Sequence, residues 1–356
     1  MKKRVGIINS GGDCPGLNRV IDAVVRGLDD TYELLGFIKG FEGLLDKKYI
    51  KLDRKITGEH KWQGGTFLKS TNHGRFPGKI KEGMAKEDEN IILQSKKNYD
   101  ELELDGLIVL GGDGTLTIAN NLQKYGFRFI GIPKSIDNDL WGTDYTFGFF
   151  SAVEVGKSAI QNLHSTAFSH DRVLIVELMG RDAGWITLYS GLAANADVVL
   201  IPEIEFSFEN VAKHLQKRRE AGKEYAMIAI SEGCVPTDFH KVISSSGAEG
   251  KLGGIGEALA NYVSKNTALE ARSMALSYLQ RAGSPSGYDS LLSMQFGAYG
   301  AQMYKEGKFG YMATLKNNKL GHIKIAEAVE KLKLVDPKSQ LIQLSRAGGV
   351  FFGDEL

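Results

Sequence analysis

The chain carries almost no net charge, only two cysteines and no long apolar run, and each shortage removes a class of function. Lys and Arg total 44 against 43 Asp and Glu, a formal charge of +1. That balance leaves no electrostatic case for nucleic acid or an anionic membrane as the main partner. Cys14 and Cys234, each in a glycine-rich or turn context, are too few for a disulfide scaffold. No signal-peptide pattern and no apolar stretch of about twenty residues is present, which argues against a membrane protein. The expectation is a reduced, cytoplasmic, soluble protein. His73, His164, His170 and His240 have no metal-ligand spacing with cysteine or carboxylates. No short repeat or low-complexity tract appears.

Glycine, by contrast, is plentiful at 43 residues, and many follow strand-like runs. That placement suits close approach of backbone to a ligand. At 356 residues two α/β lobes are expected rather than one core. The organising stretch is Gly106 to Asp139. It reads as a strand (Gly106 to Leu110), the turn Gly111-Gly112-Asp113-Gly114-Thr115, a helix to about Lys124 and a second strand, Phe127 to Ile132. The second strand runs into Lys134-Ser135-Ile136-Asp137-Asn138-Asp139. Such turns aim backbone N–H groups and a helix N-terminus at a phosphate.

The N-terminus repeats the pattern. A strand from Arg4 to Asn9, the loop Ser10-Gly11-Gly12-Asp13-Cys14-Pro15-Gly16 and a helix from Leu17 to about Leu28 lead to a strand at Glu33 to Ile38. A second small-residue loop spans Gly64 to Asn72, with Arg75 and Lys79 just beyond, and helical pattern fills Lys81 to Asn98. After Asp139 helices are expected at Phe150–Ala167, Ala183–Ala196, from Ser207 to Ala221, at Ile255–Lys265 and at Ser286–Lys305. Strands are expected at Arg172–Arg181, Val198–Ile201, Tyr225–Ile230 and Arg272–Leu279, and Lys241–Gly254 as a loop. From Lys319 onward one helix, Ile325 to Lys333, and a strand-like Gln340 to Leu344 are expected.

Three constellations carry chemistry. Asp113 in its glycine turn can hold a divalent cation bridging phosphate oxygens, or can be an ordinary Asx cap. Asp137 and Asp139 can act beside a metal-bound phosphoryl group, one taking a hydroxyl proton, or can form a solvated acidic turn. Arg172, Arg181, Arg272 and Arg281, at strand or loop ends, can grip a second phosphate through their planar forks, or form surface ion pairs.

Taken together these residues resemble the phosphofructokinase family, over nearly the whole chain and in order. The resemblance rests on Ser10-Gly-Gly-Asp-Cys-Pro-Gly-Leu-Asn18, Gly65-Thr-Phe-Leu68, Gly111 to Thr115 and Gly131-Ile-Pro-Lys-Ser-Ile-Asp-Asn-Asp139. It continues through Gly142 to Phe150, Met179-Gly-Arg181, Pro202-Glu203 and Leu279-Gln-Arg-Ala-Gly-Ser-Pro285. It implies two Rossmann-like lobes with mainly parallel sheets flanked by helices. Residues 1–148 plus 281–330 would form the phosphate-donor lobe, and 149–280 plus 331–356 the sugar-phosphate lobe.

The implied reaction is phosphoryl transfer from ATP to the 1-hydroxyl of fructose 6-phosphate, a glycolytic step, with magnesium held by Asp113 and Asp139. Asp137 would be the base, Ser135 would touch the moving phosphoryl group and Arg181 would stabilise its charge. Gly12, Gly114, Thr115, Asn72, Arg75 and Lys134 would face the donor. Met179, Gly180, Glu232 and Tyr278 would contact the sugar, and Arg281 its 6-phosphate. Arg172 and Arg272 would reach a neighbouring subunit's substrate, implying a homodimer or homotetramer with shared active sites.

Several positions depart from common relatives. Asn72 stands for an arginine, Tyr278 for a histidine, and Lys134 is typical of pyrophosphate enzymes, whereas Gly114 is the ATP-type residue. An aspartate at 114 would crowd and repel an α-phosphate, so ATP is the expected donor and pyrophosphate the alternative. At the position of the bacterial effector site, Arg26 and Arg54 remain, but Asp22 and His164 replace arginines. The expected response to ADP and phosphoenolpyruvate is therefore weak or absent. The same motifs also leave room for a kinase acting on NAD or a lipid, and for a non-catalytic sugar-phosphate-binding regulatory subunit.

Overall fold

The computed structural model describes residues 2–71, 74–77, 85–238 and 252–354. In chain order the first half alternates strands and helices: β1 (Lys3–Asn9), α1 (Leu17–Leu28), β2 (Tyr32–Phe37), α2 (Phe41–Leu45), β3 (Tyr49–Leu52), α3 (Arg54–His60), α4 (Lys86–Glu101), β4 (Leu104–Gly111), α5 (Asp113–Leu122) and β5 (Phe129–Pro133). Then come α6 (Phe149–Ser169), β6 (Val173–Leu178), α7 (Trp185–Ala193), β7 (Val198–Leu200), α8 (Phe208–Glu220), β8 (Ala226–Ser231), α9 (Ile255–Asn266) and β9 (Ala271–Ala275). The chain closes with α10 (Gly287–Lys305), β10 (Tyr311–Lys316), β11 (Lys319–Lys324), α11 (Ile325–Ala328) and α12 (Gln340–Ala347).

Local chemistry fixes many boundaries. Val5 to Asn9 and Gly106 to Gly111 are buried on successive residues, as strands covered on both faces must be. Ser207 caps α8 by accepting from the Asn210 N–H at 3.0 Å, and Asp53 caps α3 in the same way from Ile56. Asn317 and Asn318, both left-handed (φ 49° and 60°), make the two-residue turn between β10 and β11.

The chain divides into two compact units, residues 1–151 with 281–333 and residues 152–280 with 334–356. The first holds a seven-stranded sheet in the order β11-β10-β5-β4-β1-β2-β3. Its five central strands run parallel, with β3 and β11 antiparallel at the edges. From β1 the chain passes to β2 on one side and later to β4 on the other. The strand order therefore reverses between β1 and β4, and the crevice outside their C-terminal ends is where ligands of open α/β sheets bind. The core beneath is built from Ile8, Leu107, Val109, Leu116 and Phe129 among others.

The second unit has a parallel four-stranded sheet, β7-β8-β6-β9. Its core includes Val173, Ile175, Ile228, Ile230, Leu259 and Val263. Among the described residues no helix is long and apolar enough to cross a membrane.

Some elements differ from the sequence reading. The expected strand Arg272–Leu279 stops at Ala275; Ser277 turns left-handed (φ 46°) and Ser277–Arg281 wind into a 3-10 turn. Gln340–Leu344 is helical, not extended. Leu341, Ile342 and Leu344 fit either period, while Ser339 before them and Gly348 after them are helix start and stop signals. The helix expected over Ile325–Lys333 ends at Ala328, and the hairpin of β10 and β11 has no counterpart in the sequence reading. Most of the Lys241–Gly254 loop and part of Lys81–Asn98 lie outside the described residues.

Candidate active site

Three loops meet at the C-terminal ends of β1, β4 and β5, in the first unit. The parallel ladders put Asn9 opposite Leu110 and Gly111 opposite Pro133. The Ser10 N–H donates to the Leu110 carbonyl (3.2 Å) and the Lys134 N–H to that of Gly111 (3.0 Å). The glycine turn and the Lys134–Asp139 segment therefore leave the sheet side by side. Gly111 is dictated by packing, since a Cβ there would lie 2.3 Å from the Thr115 side chain. At Gly114 the opposite holds: nothing stands within 4 Å of where a Cβ would be. Asp113 opens α5, so its carboxylate and the first free N–H groups of that helix share one end.

The β1 loop is tied down from several sides. Asn9, almost fully buried, donates to the Lys69 carbonyl (3.2 Å) and accepts from Thr66 Oγ1 (3.1 Å). Gly11 accepts from Ser70 Oγ and donates its N–H to the Thr71 carbonyl. A cavity of about 290 Å³ opens here, lined by Gly11, Gly12, Asp13, Thr66, Lys69, Ser70 and Thr71. The buried Lys134 ammonium donates to the Gly12 carbonyl. Burial, joined by the nearby Arg281 charge, pulls its pKa below the usual lysine value. Arg281 donates to the Asp13 carbonyl at 3.2 Å, and a Cβ on Gly12 would run into its guanidinium at 2.7 Å. Cys14, within this loop, is a buried free thiol whose pKa burial pushes up to about 12.

The Ser135–Asp139 turn is preorganised. Ser135 Oγ donates to Asp139 Oδ1 (2.8 Å) and accepts the Asp137 N–H (3.1 Å). The Ser135 carbonyl accepts from Thr146 Oγ1 (2.6 Å). Asn138 is left-handed (φ 54°), and its Oδ1 accepts the Thr146 N–H and the Lys333 ammonium. Asp137 itself is buried. Among the described residues no three metal-ligating side chains cluster, so Asp113 and Asp139 offer at most a sparse, all-oxygen set.

In the second unit another group gathers at the C-terminal ends of β6 and β8. Leu178 pairs with Ser231, and the Glu232 N–H donates to the Leu178 carbonyl (2.8 Å). Glu232 Oε1 accepts from the N–H groups of Gly180 and Arg181, both at 3.4 Å. Arg181 is exposed and left-handed (φ 52°), a conformation that costs about 1–2 kcal/mol for a side chain with a Cβ. The fully buried Gln280 accepts the Met179 N–H at 2.8 Å. Tyr278 is exposed on the same 3-10 turn.

Not every candidate converges. Arg172 precedes β6 and Arg272 lies near the start of β9, at the N-terminal ends of these strands, whereas Met179 and Arg181 follow the C-terminal end of β6. Both pair with Glu270, whose carboxyl they hold below its ordinary pKa. Arg75 pairs with Glu42 and Asp46. Asn72 lies outside the described residues. Three residues had no assigned role in the sequence reading: Gln280, Lys333 and Glu203. The last accepts the Gly184 and Val335 N–H groups (both 2.9 Å). Only tertiary structure gives these their partners.

At the N-terminal helix, Asp22 is buried and accepts from Arg26 Nε (2.9 Å), Arg19 (3.4 Å) and Thr57 Oγ1 (2.9 Å). Arg54 donates to Asp29 through Nε and one terminal nitrogen and also reaches Asp30. In the second unit, a ring nitrogen of His164 meets the Ala194 carbonyl at 2.8 Å.

Comparison with known proteins fits this geometry. A family model described as phosphofructokinase matches residues 4–304. An ATP-dependent 6-phosphofructokinase of Chloroflexus aurantiacus is 44% identical over 100% of this chain and 99% of its own length. A pyrophosphate–fructose 6-phosphate 1-phosphotransferase of Streptomyces coelicolor is 41% identical, covering 98% of this chain and all of its own. Among solved structures, phosphofructokinase from Saccharomyces cerevisiae superposes with a TM-score of 0.80 at 25% identity. That match covers 92% of this chain but 45% of the yeast one.

Proposed function

This chain belongs to the phosphofructokinase family, and we propose that it transfers the γ-phosphoryl group of ATP to the 1-hydroxyl of fructose 6-phosphate. The observation that carries the reading is the register of β4 against β5, which sends Asp113 and Asp137 out of the sheet on adjoining loops.

Phosphoryl transfer asks the protein for positioning and charge stabilisation more than for covalent chemistry. The buried Asp137 carboxylate is the group to accept the sugar hydroxyl proton. Ser135, bonded to both the Asp137 N–H and Asp139, sets the turn at phosphate height. Gly12, Gly114 and Thr115 bring main chain close to the donor, with Lys134 binding the two donor loops together. A sparse oxygen donor set suits magnesium, which keeps several waters and borrows phosphate oxygens. Asp113 and Asp139 would hold it, and when bound it would neutralise charge on the β- and γ-phosphates.

The sugar phosphate is assigned to Met179, Gly180, Glu232 and Tyr278, with Arg281 for the 6-phosphate and Arg181 for the charge that develops on the moving group. Arg172 and Arg272 lie at the N-terminal ends of β6 and β9, away from the strand ends that carry Met179 and Arg181, which supports their serving a second subunit in a homodimer or homotetramer. The reading places the enzyme in glycolysis and the cytoplasm.

A pyrophosphate donor is the second reading, favoured by Lys134 and by the name of the Streptomyces coelicolor relative. The open space at Gly114 favours the larger nucleotide. Assaying the purified protein with each donor separates them: turnover with ATP and little with pyrophosphate is expected, and the reverse overturns the choice. Asp137→Ser should cut turnover roughly a thousandfold or more with little change in KM for fructose 6-phosphate. Near-normal turnover would remove Asp137 as the base.

A further inference from the structure

Lys333 is 195 positions from Asn138 in sequence, yet its ammonium lies 2.9 Å from the Asn138 Oδ1. The same nitrogen donates to the carbonyls of Thr143 (3.0 Å) and Asp144 (2.7 Å). An ammonium has three donors, and all three are satisfied by oxygens of one loop. The Lys333 main chain adds a fourth link, its N–H donating to the Asp139 carbonyl at 2.8 Å, next to the bridge between Leu140 and Leu332. Lys333 thus grips the Asp137–Asp139 turn by side chain and backbone together.

The grip falls where the turn needs it. Asn138 is left-handed, a conformation that asparagine tolerates better than most side chains but that still costs more than the right-handed one. Its Oδ1 is fixed between the Thr146 N–H and Lys333, so the side chain cannot swing without breaking both bonds. Rotation at Asn138 would re-aim the residues on either side, Asp137 and Asp139. Ser135 holds the turn from below, but no other charged side chain among the described residues is shown bonding to Asn138. Lys333 is also the last residue of the first unit, and the chain enters the second at Leu334.

We propose that Lys333 is a positioning residue for phosphoryl transfer, holding Asn138 so that Asp137 is presented in its reactive orientation. The inference rests on Asp137 being the base. Loss of the link misplaces a reacting group, and an error of about 1 Å can cost about a hundredfold in rate.

The experiment is a double-mutant cycle in the ATP and fructose 6-phosphate assay, using Lys333→Met, Asp137→Ser and both together. Lys333→Met is expected to lower kcat about tenfold to a hundredfold with KM values within roughly threefold. In the Asp137→Ser background the same change should do little more, because the residue it acts through is gone. Wild-type kcat in Lys333→Met, or an equal fall in both backgrounds, overturns the proposal. Normal turnover in Asp137→Ser instead overturns the assignment of the base. Should Lys333→Met not fold, Asn138→Gly keeps the left-handed backbone accessible while removing the acceptor. It should also lower kcat by about fivefold or more with little change in KM, and wild-type kcat there would equally sink the idea.

Discussion

The buried ammonium of Lys134, at the end of β5, donates to the main-chain carbonyl of Gly12, in the loop after β1. Since β4 lies between those strands, this one side chain spans the middle loop of the three that form the candidate donor site. Its charge is held at a cost, because burial works against the protonated form. A lysine whose folded pKa lies below its unfolded one destabilises the fold while protonated. That penalty is present at neutral pH and fades only as pH rises through the lowered folded value. Lys134→Met should therefore lower turnover about tenfold or more while leaving the thermal midpoint no lower than wild type. Coupled assays and thermal unfolding of the same preparation test both halves; a variant that is active and less stable contradicts the account.

Gly114→Asp probes donor choice. With nothing within 4 Å of the new Cβ, the variant should fold as the parent does. Its carboxylate would face the donor phosphates, so KM for ATP is expected to rise roughly tenfold or more while pyrophosphate use improves relative to ATP. Unchanged ATP kinetics would mean that position 114 does not face the donor.

Asp289 gives a pH prediction. It is buried and accepts the N–H and Oγ of Ser151, both at 2.6 Å, and burial raises its pKa to about 6. A carboxyl whose folded pKa exceeds its unfolded one favours the folded state when protonated. Stability should then fall as pH rises from the unfolded value near 4 to about 6 and level off above it. Urea midpoints measured across that window should fall in the wild type and change less in Asp289→Asn. Parallel curves would exclude Asp289 as the source.

Regulation by anionic effectors should be weak. Arg26 is already bonded to Asp22, and Arg54 to Asp29 and Asp30, so a phosphate would have to displace carboxylates from their guanidinium groups. Fructose 6-phosphate saturation is expected to stay hyperbolic with ADP or phosphoenolpyruvate present. Strong sigmoidal inhibition would overturn this.

Much of the architecture was legible in the chain. Glycine turns after fully apolar runs announce parallel strands, because only covered strands tolerate such runs and only loops at their ends tolerate such glycines. The readings that failed had short or two-way patterns. Gln340–Leu344 fits either period, and the Asn317-Asn318 turn joins two strands too mixed in polarity to stand out by alternation.

Amino-acid order alone determined which residues could do phosphate chemistry: Asp113, Asp137 and their glycines carry that meaning in their immediate neighbours. Folding decided who holds them. Lys333 meeting Asn138, Gln280 meeting Met179 and Glu270 drawing in Arg172 are pairings across the sheet or between distant segments. No local pattern encodes them, because a hydrogen bond between distant segments depends on separation in space and leaves no trace in spacing along the chain.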